Sequence, residues 1–197
     1  MSRRLALLAP VVALSLSGCG LNSIPTAEEN VNAKWGQVQS EYQRRNDLIP
    51  NLVATVKGYA KQESSVLIEV TQARASANSI KLSPADLSNP AKVQAYNDAQ
   101  NRVSASIIPF QRMQEAYPDL KSNTNFLTLQ SQIEGTENSI LVSRKDYNEA
   151  VQAYNTRIRT FPDAIGAKIF YGAKPKSMFE ASSGSQAAPK VDFGNNG

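Results

Sequence analysis

Apolar side chains recur at alternating steps of three and four residues from Val31 to Ile80, through Trp35, Val38, Tyr42, Ile49, Leu52, Val56, Tyr59, Val66, Val70, Ala73 and Ala77. A stripe of that period is the buried face of a helix lying along other helices; a strand would need a period of two. Arg45 and Glu63 are the polar interruptions of the seam. A single rod over 27–80 would be about 80 Å long. Pro50 stands inside it, without the N–H a helix requires and crowding the carbonyl of Asn46. The unbroken phase of the seam favours a kink. Helices of matching length favour a break, so a reversal or sharp kink is expected at 46–50.

The remaining punctuation is also helical. Thr26-Ala27-Glu28-Glu29 has the form of a capping box that starts the first helix. Ser83-Pro84 and Asn89-Pro90 are helix-start signals within a connector. A second helix is predicted from about Pro90 to Ala116, with Val93, Tyr96, Val103, Ile107 and Phe110 on one stripe and a bend at Pro109. A third is predicted from about Ser122 to Phe161, with Phe126, Ile133, Ile140, Tyr147, Tyr154 and Phe161 every seven residues. Glu137 and Arg144 fall in that seam, and Pro162 ends it. Residues 162–170 are compatible with a short further helix. No stretch of useful length alternates as a strand, so the fold class is all-α.

The first 18 residues read as an address. Arg3 and Arg4 precede an apolar run from Leu5 to Leu16. Twelve helical residues reach about 18 Å, short of the roughly 30 Å hydrocarbon core, as in a signal peptide rather than a spanning helix. Leu16-Ser17-Gly18-Cys19 resembles a bacterial lipobox, and Cys19 is the chain's only cysteine. The expectation is a signal peptide over 1–18, a lipidated Cys19 opening a linker over 19–25, a helical bundle over 26–180 and a Ser/Gly/Asn-rich disordered tail over 181–197. Gly20, where inner-membrane retention would call for Asp, favours the periplasmic face of the outer membrane. Removing 1–18 takes Arg3 and Arg4 away and brings 21 Lys+Arg close to 17 Asp+Glu. That balance is no nucleic-acid footprint, and none is expected as a partner.

The chain has no histidine. That excludes histidine triads, histidine bases and histidine metal ligands. One cysteine excludes Cys/His zinc sites and internal disulfides. No cofactor or metal is expected, since nucleophile-elbow, P-loop and dinucleotide motifs are missing. The densest polar cluster is Arg44-Arg45-Asn46-Asp47. Arg44, Arg45 and Asp47 form either a partner or anion site or a structural cluster; the structural reading, favoured here, pairs Arg45 and Asp47 with acids such as Glu134 or Glu137. Glu28 and Glu29 are explained by a first helical turn, whose dipole favours acids. Tyr96-Asn97-Asp98-Ala99 echoes Tyr147-Asn148-Glu149-Ala150, with Tyr154-Asn155 one heptad later. The echo is read as helix composition repeating itself, against the alternative of related packing corners. Phe170 to Phe179 mixes aromatics with Gly, Pro and Lys, and is either a membrane or partner contact or a strap packed on the bundle.

Particular strings carry a family likeness. Tyr42-x-Arg44-Arg45-x-Asp47-Leu48-Ile49-Pro50-Asn51-Leu52, Ala116-Tyr117-Pro118-Asp119-Leu120, Gln132-Ile133-Glu134-Gly135-Thr136-Glu137-Asn138 and Phe161-Pro162 resemble the LemA family, in the family's order over roughly 28–180. The resemblance implies an up-and-down, mostly antiparallel four-helix bundle in a membrane-tethered envelope protein, here in a lipoprotein variant. It implies no catalytic residue. The expected role is a non-enzymatic binding or scaffold module, attached to membrane lipid through acylated Cys19, with an unidentified envelope protein as partner. The rivals are a small carboxylate-dependent hydrolase of envelope material and an adaptor for an envelope protease or stress system.

Overall fold

A computed structural model describes residues 22–60 and 63–180, and the described residues are helical with no strand among them. The expected signal peptide over 1–18, Cys19 and the expected tail over 181–197 lie outside the described residues. Helix α1 spans Ser23–Tyr59, α2 Ser64–Ser79, α3 Pro90–Ala116, α4 Pro118–Lys121, α5 Thr124–Arg157 and α6 Asp163–Gly166. A 3-10 turn over Pro84–Ser88 links α2 to α3, and a π turn over Ala167–Tyr171 follows α6.

The first helix begins four residues earlier than the capping-box reading placed it. Thr26 lies inside it, its N–H and hydroxyl both donating to the Asn22 carbonyl (3.2 and 2.7 Å). Buried Ile24 explains the extension: the first turn already has an apolar contact to make. Pro25 falls in that turn, where a missing N–H costs little. Asparagine caps open two helices, the first at a start signal read from the sequence and the second one residue past the expected start at Ser122. The Asn89 side chain accepts from Lys92 N–H (3.2 Å) and Asn123 from Phe126 N–H (2.9 Å), opening α3 and α5.

The expected break at 46–50 is absent: α1 runs uninterrupted through Pro50, and the chain leaves the helix only after Tyr59. Pro50 deprives the Asn46 carbonyl of its partner four residues on. Arg74 of α2 replaces it, Nε donating to that oxygen at 2.7 Å. The Asn46 side chain also donates to Asn78 (2.8 Å), so the proline site is where α2 docks on α1. Likewise α3 continues through Pro109.

Cross-links between helices give their directions. Lys34–Asp146 (2.9 Å), Arg45–Glu137 (3.1 Å) and Asn123–Tyr59 (2.8 Å) run in opposite order along α1 and α5. On α1 and α3 the order is the same: Trp35 meets Tyr96, and Arg45 meets Gln100 and Ser104. Also, α2 packs on both α1 and α3.

The core lies in two apolar clusters. One holds Val31, Trp35, Tyr96, Tyr147 and Tyr154; the other holds Leu52, Val56, Val103, Phe110 and Phe126. The seam predicted most of these, with two corrections. Tyr59 is exposed, because it ends α1 and turns its hydroxyl to Asn123. Phe161, in phase with the third stripe, is 83 % exposed, because α5 stops at Arg157 and the heptad no longer describes a helix.

Candidate functional site

The two clusters meet near a polar layer centred on Arg45. Its place in the heptad seam turns it inward, and its side chain is fully buried. Arg45 Nη1 donates to Ser104 Oγ (2.7 Å) and Glu137 Oε1 (3.1 Å); Nη2 donates to the carbonyl (3.3 Å) and the side-chain oxygen of Gln100. Ser104 donates in turn to Glu137 Oε2 (3.1 Å). The guanidinium also stands 5.1 Å from the Tyr42 ring centre. Only Nε of this fork is left unpartnered. Burial pushes the Tyr42 hydroxyl above its usual pKa, with Arg144 and Arg45 offsetting part of the effect.

The other members of the predicted cluster do not join this layer. Neighbouring helical residues point about 100° apart, so one inward residue sends its neighbour elsewhere. Arg44 and Asp47 are exposed, and Asp47 accepts from Gln43 on its own helix (2.7 Å) rather than meeting Glu134 or Glu137. Glu134 likewise faces out and accepts from Gln130 (3.2 Å). Glu137 sits at the mouth of the layer, 32 % exposed. Beside it lies a groove of about 500 Å³ that Tyr42, Gln100, Ser104, Arg144 and Glu180 also line.

The groove is bounded by a strap, residues 172–180. Gly172 makes the turn into it with φ of 54°, a left-handed conformation that glycine adopts without a side-chain clash. Two asparagines then hold the strap by paired hydrogen bonds. Asn155 accepts from Lys176 N–H and donates to its carbonyl, both at 2.8 Å; Asn148 does the same for Phe179, both at 2.9 Å. Asn97 and Arg144 donate to the Glu180 carbonyl (3.2 and 3.1 Å), and the Tyr147 hydroxyl donates to Ser177 (3.0 Å). The asparagine of every Tyr-Asn pair thus contacts the strap. The echo marks related packing corners, and the compositional reading of it was wrong.

The strap completes the aromatic core. Phe179 is buried, its ring centre 6.0 Å from Trp35 and 5.2 Å from Tyr147, with Arg144 5.0 Å from it on the outside. Lys176 is buried too, its ammonium 2.9 Å from Glu28 and 5.5 Å from the Tyr154 ring centre. Burial raises the pKa of the Tyr96 and Tyr147 hydroxyls. Sequence reading missed Gln100 and Ser104, whose types mark no ligand role. It had a signal for the strap in the repeated Tyr-Asn pairs.

No helix among the described residues is long and apolar enough to cross a membrane. No cluster of three potential ligands able to hold a metal ion occurs among them.

Comparison with known proteins adds two findings. The LemA family matches residues 34–193. Protein LemA of Metamycoplasma hominis is 28 % identical over 140 residues, which cover 71 % of this chain and 60 % of that protein. The chain thus matches only about three-fifths of the length of this curated relative.

Proposed function

The chain belongs to the LemA family, and from that premise we propose that it is an envelope lipoprotein, held by acylated Cys19 and presenting a non-enzymatic binding or scaffold module. The observation that carries the reading is the place of Cys19. It closes the lipobox-like Leu16-Ser17-Gly18-Cys19 and stands four residues before α1 starts at Ser23, so the anchor would abut the folded body. The opposed order of contacts on α1 and α5, and the like order on α1 and α3, support an up-and-down four-helix bundle. The closed pairing of Arg45 with Glu137 and Ser104 supports a structural role for the one deeply buried charge of the polar layer. A catalytic carboxylate pair would need free groups converging on one reacting atom, whereas Glu137 is committed to Arg45 and Ser104. The outer membrane, through the residue after Cys19, is the proposed location.

The test is fractionation of wild-type and Cys19→Ser cells. A diacylglyceryl cysteine supplies two acyl chains, enough for stable anchoring where one is marginal. Wild-type protein should stay with membranes through high-salt washing, and processed Cys19→Ser protein should be released with unchanged helix content. Retention of the processed variant in the washed pellet would refute the single-anchor reading.

A further inference from the structure

The connector after α5 is unlike the rest of the surface. Between residues 161 and 170, Phe161, Ile165, Ile169 and Phe170 are 83, 54, 68 and 68 % exposed. They do not lack a folded base: Gly166 and Ala167 between them are buried, and Ala167 packs in the same core cluster as Ile24. An ordered backbone therefore holds a group of large apolar side chains out to solvent. Such patches mark an interaction site more often than scattered single residues do. Exposed Arg157, Arg159 and Lys174 flank them in sequence, and exposed Lys168 lies among them. Asp163 is the acid within the segment, and it is occupied by Ser23 (2.8 Å) and Arg157 (4.0 Å).

That last contact fixes where the patch lies. Ser23 of α1 is hydrogen-bonded to the segment itself. From Cys19 to Ser23 the chain reaches at most about 14 Å even when fully extended. Resting on the proposed lipidation of Cys19, this puts the anchor's exit within about that reach of Ser23, and so at the same end of the molecule as the segment that carries the patch. Apolar side chains backed by cations are the composition that settles into an anionic headgroup layer.

We propose that the end of the molecule formed by residues 157–174 lies on the membrane surface, with Phe161, Ile165, Ile169 and Phe170 in the interface and the neighbouring cations against anionic headgroups. The long axis of α1 and α5 then projects away from the bilayer. The surfaces distant from α6 face the space beyond. This contact is weak and reversible and is lost in a high-salt wash, whereas the acyl anchor is not.

The experiment uses the processed Cys19→Ser chain and vesicles of phosphatidylethanolamine with phosphatidylglycerol, read by cosedimentation at low salt. The parent should bind, and binding should fall on replacing phosphatidylglycerol with phosphatidylcholine. Ile169→Ser combined with Phe170→Ser should weaken it at least tenfold, both positions being exposed and external to the core. Leu127→Ser should leave it unchanged, since Leu127 is an exposed residue about 45 Å along α5 from Arg157. A parent that does not bind, or one bound equally well after the double substitution, would overturn the proposal. So would a double substitution that abolishes self-association or capture of a protein while vesicle binding is unchanged. Because the chain tested carries no lipid, release of wild-type protein from washed membranes would sink the tether and leave this result standing.

Discussion

The polar layer makes an uneven demand on its two charges. Arg45 is wholly enclosed, and Glu137 is about one third open to water. Arginine cannot shed its proton, so removing Glu137 leaves a buried cation with only neutral partners. Breaking a buried pair that way costs about 3–5 kcal/mol, and Glu137→Leu should fall in that range. Arg45→Met removes four hydrogen bonds. The carboxylate it strands can turn to solvent, however, which discounts the loss. About 2–3 kcal/mol is expected, chiefly from the buried Gln100 side chain left short of a donor. The double variant Arg45→Met/Glu137→Leu should cost no more than Arg45→Met alone, about 2–3 kcal/mol, because Gln100 stays short of a donor while the penalty of Glu137→Leu vanishes once no buried cation remains. The coupling in the cycle is then several kcal/mol, large enough to read by urea denaturation followed by circular dichroism of the processed Cys19→Ser chain. Additive losses, or a Glu137 variant as stable as the parent, would refute the asymmetry and with it the assignment of this layer to structure.

Arg74→Met should cost about 1–3 kcal/mol by stranding the Asn46 carbonyl, and markedly less in a Pro50→Ala background, where residue 50 regains an N–H for that oxygen; equal costs in both backgrounds, measured by urea melts, would disprove the exchange. Asn148→Ala should speed hydrogen exchange at the Phe179 amide and Asn155→Ala at the Lys176 amide, each with a loss of about 1–2 kcal/mol; unchanged exchange at those amides would refute the clamp. Burial raises the folded-state pKa of Tyr42, Tyr96 and Tyr147, so their contribution to stability is complete below about pH 10 and is lost as pH rises towards the folded values. Ultraviolet titration should therefore show these phenols ionising together with the loss of helix, and ionisation that precedes unfolding would count against their burial.

What could be read from the sequence was whatever repeats. The stripes of α1, α3 and α5 emerge from period alone, because each buried position is announced by its neighbours three and four residues away. Pro50 shows the limit. Its local chemistry argues for a break, and the residue that overrules it is Arg74 on another helix. Phe161 shows the converse failure, where a period was followed beyond the helix that gave it meaning. Inside the polar layer, Arg45 and Glu137 were visible as charges on apolar stripes. Ser104 and Gln100 were not, since a polar residue on a long helix more often faces water. Arg44 and Asp47 were grouped with Arg45 by adjacency in sequence, and a helix spreads adjacent residues around its axis.

The strap has a consequence for the order of assembly. Trp35 and Phe179, whose rings stack at 6.0 Å, stand 144 positions apart (179 − 35). Contacts of that separation carry the largest loop-closure cost and are favoured only when the intervening chain is already organised. During synthesis from the N-terminus, the tryptophan is made long before the ring that covers it. A protease cutting near Gly172 would therefore remove a wall of the hydrophobic interior rather than a dispensable appendage. Intact and clipped chains should then be sorted by their resistance to further digestion, which gives the protein a built-in check that synthesis has passed the strap.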